Sequence, residues 1–202
     1  MIDPASALRR LQEGNARFVA NRKSQALTSP VRRAEVAENQ QPFAVILGCS
    51  DARVPAEIVF DQGLGDLFVI RVAGNVVAPS GVGSVEFAVE RFGVQLVVVL
   101  GHTRCGAIDA TLEVLARPDQ PQSRGLRSIV DRVRPAIEGL VAADSGRDRT
   151  RLVQDAVRAN IRASVNQLRH GSEILERLVL AARVQVVGAE YALDSGEVTF
   201  LD

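Results

Sequence analysis

The apolar residues of this chain gather in short unbroken runs. Residues 43–47, 67–72, 96–100 and 184–188 are each rich in Val, Ile, Leu and Phe. Runs of that length, without polar alternation, predict strands buried on both faces. Between them, apolar positions recur at helical spacing. Asp3 and Pro4 offer a capping side chain followed by a proline at the first helical position; Leu8, Leu11, Phe18 and Val19 carry that helix to about Ala20. Residues 21–41 are polar and loosely patterned, with Pro30 and Pro42 as punctuation, and predict a connecting arm with one short helix. Ser84 reads as the cap of a helix that carries Val85, Ala88, Val89 and Phe92 on one face and ends at Gly93. Further helices are predicted over 107–115, 126–143 and 148–169, with a loop over 117–125. Gly171 closes the last of these, and Ser172 opens another helix to about Ala182. Asp194, Ser195 and Gly196 predict a turn into a closing edge strand.

Strands alternating with helices give an α/β fold: a mainly parallel central β-sheet with flanking helices, an N-terminal helical arm and a closing edge strand. Residues 1–42 form the arm, expected to pack on a partner subunit. Residues 43–202 form the α/β domain that carries the chemistry, and the whole is a single domain.

Composition narrows the function. Lys+Arg and Asp+Glu are both 24, so no overall field favours nucleic acid or an anionic membrane. Lys23 is the only lysine, and the arginines between Arg132 and Arg183 are interleaved with acids, as on a solvated, salt-bridged helix surface. No apolar stretch approaches the ~20 residues of a membrane span, and no charged-then-apolar leader opens the chain. A cytoplasmic protein with neither nucleic-acid nor membrane partners is expected. The two cysteines then read as free thiols or metal ligands rather than a disulfide.

The residues at the strand ends decide between those readings. The first run delivers Cys49, Ser50, Asp51, Ala52 and Arg53; the third delivers His102, Thr103, Arg104 and Cys105. In a parallel sheet, ligands bind at the carboxyl ends of strands, so both cysteines and one of the two histidines converge. Two thiolates and an imidazole suit zinc, and three protein ligands leave a fourth position open, as in catalytic zinc sites. Asp51 and Arg53 add a carboxylate that could accept a hydrogen bond from bound water, and a guanidinium to keep it ionised. Asp51 is also close enough in sequence to swing in as a fourth ligand in a closed form. His170 reads as a helix C-terminal residue beside Gly171.

Cys49-Ser-Asp-Ala-Arg53, Arg71-Val-Ala-Gly-Asn75 and Gly101-His-Thr-Arg-Cys-Gly106, in that order, resemble a bacterial β-class carbonic anhydrase, and the likeness runs on to Gly188-Ala-Glu-Tyr191. The resemblance implies Zn²⁺ on Cys49, His102 and Cys105, with Asp51 and Arg53 as a catalytic dyad. It implies reversible hydration of CO₂ to bicarbonate by zinc-bound hydroxide, in a homodimer or homotetramer. It implies that Phe68, Ala73 and Phe87 help wall the CO₂ pocket, and that Gln40 crosses the dimer interface to reach substrate. A CS₂ or COS hydrolase of the same family and a non-catalytic zinc scaffold module are the alternatives. One departure concerns regulation. Some bacterial relatives bind bicarbonate away from the zinc on a Trp, an Arg and a Tyr; Arg71 and Tyr191 match the last two, but Ile46 stands at the Trp position.

Overall fold

The computed structural model describes residues 2–22, 28–143, 146 and 148–201. Part of the predicted connecting arm, residues 23–27, lies outside the described residues. Helix α1 spans Pro4–Val19, and Asp3 caps it by accepting from the Ser6 amide at 2.9 Å. The short helix of the arm is α2, Pro30–Val36, capped by Ser29.

Five strands form one sheet in the order β2-β1-β3-β4-β5. They are β1 Ala44–Gly48, β2 Leu67–Arg71, β3 Leu96–His102, β4 Gln185–Tyr191 and β5 Val198–Leu201. The first four pair in parallel; β5 closes the edge antiparallel to β4, after a turn in which Gly196 takes a φ of 79°. The mainly parallel α/β architecture expected from the apolar runs is the one found.

The absence of alternation has its cause in two cores. Val45, Leu47, Val97 and Val99 face one side of the sheet; Ala44, Ile46, Val98 and Leu100 face the other. The first side is covered by α4 (Pro79–Phe92), α5 (Gly106–Ala116), α6 (Arg124–Ala142), α7 (Arg149–His170) and α8 (Glu173–Leu180). The second is covered by α1 and by α3, a single turn at Ala56–Val59. Helix α1 sends Ala7 and Leu11 into its own chain's core, and its Gly14 packs so tightly that a Cβ would lie 1.8 Å from the Phe60 carbonyl oxygen. Helix α2 has no buried residue.

One boundary and one missed element correct the sequence reading. Helix α4 begins at Pro79, not at Ser84. Proline at N1 starts the helix with its φ already set, and the Ser84 hydroxyl, instead of capping, donates back to the Ser80 carbonyl at 2.7 Å. Helix α3 has only 4 residues, too few to show a period.

Helix α7 packs directly on glycines of the sheet. Cβ atoms built on Gly101 and Gly188 would fall 2.5 Å and 2.7 Å from Ile161 side-chain carbons. Glycine at both positions lets Ile161 press onto β3 and β4 just short of His102.

Candidate metal centre

From β1 the chain reaches β2 on one side of it and β3 on the other, so the sheet order reverses between β1 and β3. The carboxyl ends of such strands splay into a crevice. Cys49 follows β1 there, and His102 ends β3. Arg104 takes a positive φ of 54°, and Cys105 after it stands at the N-cap position of α5, its side chain making no capping bond. A helix N-terminus favours a thiolate at that position.

The three ligand atoms lie within 4.8 Å of one another, and all three residues are buried. The two sulfurs are 4.0 Å apart. Tetrahedral zinc with Zn–S bonds of about 2.3 Å sets its sulfurs roughly 3.8 Å apart, so the spacing fits that ion. The histidine fits as well. Its Nδ1 is 2.9 Å from the Thr103 carbonyl oxygen, which makes Nδ1 the proton-bearing nitrogen. Nε2 is buried with no hydrogen bond, its lone pair free for a metal, and the Asp51 carboxylate stands 3.8 Å away.

The two thiols stand in hydrogen-bond contact and shift each other's ionisation in opposite directions. Hydrogen-bond donation from Cys105 holds the Cys49 thiol well below the ordinary thiol range, and the same contact together with burial pushes Cys105 up. Burial acts to lower the His102 imidazolium, but the Cys49 sulfur, the Thr103 carbonyl and the Asp51 charge outweigh it and hold its pKa up. Both thiolates and the neutral imidazole are the forms that would hold a divalent cation. These side chains fit zinc.

Asp51 and Arg53 sit at the mouth. Arg53 Nε and Nη2 donate to the two carboxylate oxygens at 2.9 Å and 2.7 Å, and the Arg53 amide adds a third bond at 3.0 Å. The guanidinium holds the Asp51 carboxyl well below the usual range, against the opposing effect of burial. Arg71, at the end of β2, donates to the Cys49 carbonyl at 3.1 Å and to the Asp51 carbonyl at 2.7 Å. This spends its guanidinium on the loop, and Ile46, at the Trp position, is fully buried in the second core.

The other predicted positions divide. Ala73 opens the 3-10 turn Ala73–Asn75, whose Gly74 amide donates to Cys49 Sγ at 3.3 Å. Phe68 and Phe87 meet each other with centroids 6.2 Å apart, joined by Phe92 at 6.1 Å and 5.6 Å. Phe68 pairs in register with Val45, four residues short of Cys49 and so about 13 Å from it along the strand. Gln40 is exposed in the arm. His170 lies ten residues, about 15 Å, along α7 from Asn160, which touches the 3-10 turn. Its ring pairs instead with Glu176 at 3.0 Å. Arg71 and Asn160 as supports of the site were not read from the sequence. Asn160 carries a faint signal, as an amide in the middle of an apolar helix face.

A doubly covered, mostly parallel sheet with a Cys–His–Cys crevice at its switch point defines a zinc enzyme of the α/β class. Comparison with known proteins narrows the class. The carbonic anhydrase family profile matches residues 44–198. The carbonic anhydrase of Mycolicibacterium smegmatis is 41% identical over 97% of this chain and 92% of its own length. Among solved structures, the β-carbonic anhydrase CafA of Aspergillus fumigatus matches with a TM-score of 0.76 at 26% identity, over 98% of this chain and 90% of that one. A crystal structure of two tetrameric β-carbonic anhydrases from Sordaria macrospora matches in fold, with a TM-score of 0.73 at 21% identity over 97% of each chain. The chain belongs to the β class of the carbonic anhydrase family. It is a zinc lyase that hydrates CO₂ to bicarbonate, and the hydrolase and scaffold alternatives are not favoured.

Proposed function

We propose that Asp51 and Arg53 are the catalytic dyad of this carbonic anhydrase. Cys49, His102 and Cys105 would hold the zinc, which when bound would supply an acidified water as the nucleophile toward CO₂. Asp51 Oδ2 is 3.8 Å from His102 Nε2, close enough for the ionised carboxylate to accept a hydrogen bond from that water and orient its lone pair. Arg53 keeps the carboxylate ionised and clamped at the mouth, and loss of that hold would free Asp51 to serve as a fourth ligand. The single observation that carries this reading is the three-point clamp of Arg53 on Asp51 beside a His102 Nε2 that makes no hydrogen bond. Stopped-flow CO₂ hydration by zinc-loaded Asp51→Asn tests it. The rate should fall while zinc content stays at one per chain; an unchanged rate would overturn the role.

The substrate wall is proposed to be shared between two copies of the chain. Ala73, on the turn beside Cys49, would serve its own site. Gln40, Phe68 and Phe87 would serve the partner's site, because Phe68 stands about 13 Å from its own Cys49 and Gln40 is exposed. Phe87 is 52% exposed beside the β2 edge, where a second sheet could dock. The unburied helix α2 belongs to the same proposed dimer surface, and the tetrameric relatives support higher assembly. Phe87→Asp should yield monomers in sedimentation and lose activity with dimer; an active monomer would sink the shared wall. No helix among the described residues is long and apolar enough to cross a membrane. We place the enzyme in the cytoplasm, because a ligand set with two free thiols is best kept in a reducing compartment. Recovery in the membrane or exported fraction of cells would contradict this.

A further inference from the structure

Helix α7 turns a polar stripe toward the site. Asn160, Ser164 and Gln167 stand at i, i+4 and i+7, on one face. Each reaches a backbone carbonyl of residues 74–77. Asn160 Nδ2 donates to the Gly74 carbonyl at 2.8 Å, Ser164 Oγ to Asn75 at 3.3 Å, and Gln167 Nε2 to Val77 at 3.5 Å. Asn160 is 2% exposed. An amide so placed gives up its water and lowers helix propensity relative to an alanine or leucine.

Its partner is no ordinary loop residue. Gly74 has a φ of +69°, and a Cβ there would lie 3.0 Å from Ala107 Cβ, so only glycine fits without strain. The carbonyl of Gly74 is held by Asn160, and its amide donates to Cys49 Sγ. The two contacts sit on either side of one flexible Cα. Fixing one peptide orients the other, and an N–H aimed at a thiolate fixes the direction of its lone pairs and draws charge from the sulfur.

We propose that Asn160 is a positioning residue of the metal centre: by holding the Gly74 carbonyl it keeps the Gly74 amide on the Cys49 sulfur and so sets how tightly and how strongly that sulfur binds metal. This rests on Cys49, His102 and Cys105 being the metal ligands. Ser164, one carbonyl further along and equally buried, supports the fold of the same segment without touching the Gly74 peptide.

The test uses the full chain, loaded with cobalt(II) for its thiolate-to-metal absorption and with zinc for competition against a chromophoric chelator. Asn160→Leu keeps the volume of the side chain and removes its donor; Asn160→Ala carries the same comparison if the leucine variant does not fold. Either should move the charge-transfer band to longer wavelength, as the sulfur becomes more electron-rich, and weaken zinc binding by about 10–100-fold. Ser164→Ala should lower thermal stability but leave band and affinity as in the wild type. If Asn160→Leu keeps the wild-type band and affinity, or if Ser164→Ala shifts both as far, the positioning role is overturned and the ligand set stands. If the wild-type chain shows no thiolate-to-cobalt band at all, the ligand set falls and the proposal with it.

Discussion

Asp51 Oδ2 lies 3.8 Å from His102 Nε2 and 2.7 Å from Arg53 Nη2. One carboxylate is therefore shared between a metal ligand and a cation, with the cation holding both oxygens. Which neighbour wins depends on the Arg53 clamp. Removing it frees a side chain already at the mouth to reach the metal position.

Arg53→Ala should lower CO₂ hydration by roughly 10–100-fold, the range expected when a group that orients a metal site is lost. Zinc content should hold at one per chain, because the three ligands are untouched. Cobalt spectra should show a fourth protein ligand in place of solvent. Spectra and rate equal to the wild type would mean that the clamp does not set the position of Asp51.

Metal removal reads the ligand set directly. A cation that binds only the folded chain stabilises it, so a chelator should lower the unfolding temperature and zinc should restore it. Cys105→Ser leaves two ligands and should abolish the zinc-dependent shift. A Cys105→Ser chain that still gains stability from equimolar zinc would remove Cys105 from the set.

These ligands were legible because their chemistry lies in residue type. Cys49, His102 and Cys105 need only be placed at strand ends, and the apolar runs of β1 and β3 do that. Both cores were implicit too, since an unbroken Val–Ile–Leu run demands cover on both faces. Less legible was whatever depends on backbone direction. The start of α4 was less legible: Pro79 opens it and Gly81 and Gly83 stand inside it, poor helix formers that nothing crowds in the helix. Gly74 and Asn75 take successive positive φ values, and from sequence alone no pattern separates that turn from any other Gly-Asn. The support given by Arg71 and Asn160 is to carbonyls, which every residue has, so beyond the faint signal of the Asn160 amide the fold selects them.

Tyr191 offers a pH test free of the metal ligands' own titration. It is the only tyrosine, and the chain has no tryptophan, so near-ultraviolet phenolate absorption reports it alone. It pairs in register with His102 and is 5% exposed. Burial pushes its phenol above the usual value. A folded pKa above the unfolded one means a stabilising contribution fully present below the unfolded value of ~10 and lost as pH rises through the folded one. Phenolate should form at higher pH in the native protein than in denaturant. Superimposable titration curves would contradict its burial.

The close approach of α7 makes a last prediction about coupling between packing and site. Gly101→Ala drives a methyl to 2.5 Å from Ile161 Cδ1, and Gly188→Ala drives one to 2.7 Å from Ile161 Cγ2. Each should cost about 1–3 kcal/mol by overpacking, measured by denaturant unfolding. The pair should cost less than the sum, because both displace the same isoleucine and α7 retreats once. Their effects on the site should differ. Gly101 precedes His102 directly and its added methyl would also stand 3.4 Å from Asn75 Oδ1, whereas Gly188 lies on β4 opposite Val99. Gly101→Ala should therefore weaken zinc binding while Gly188→Ala leaves it unchanged. Strict additivity of the two destabilisations, or equal loss of zinc from both, would show that Ile161 is not the shared point of contact between α7 and the metal-bearing strand.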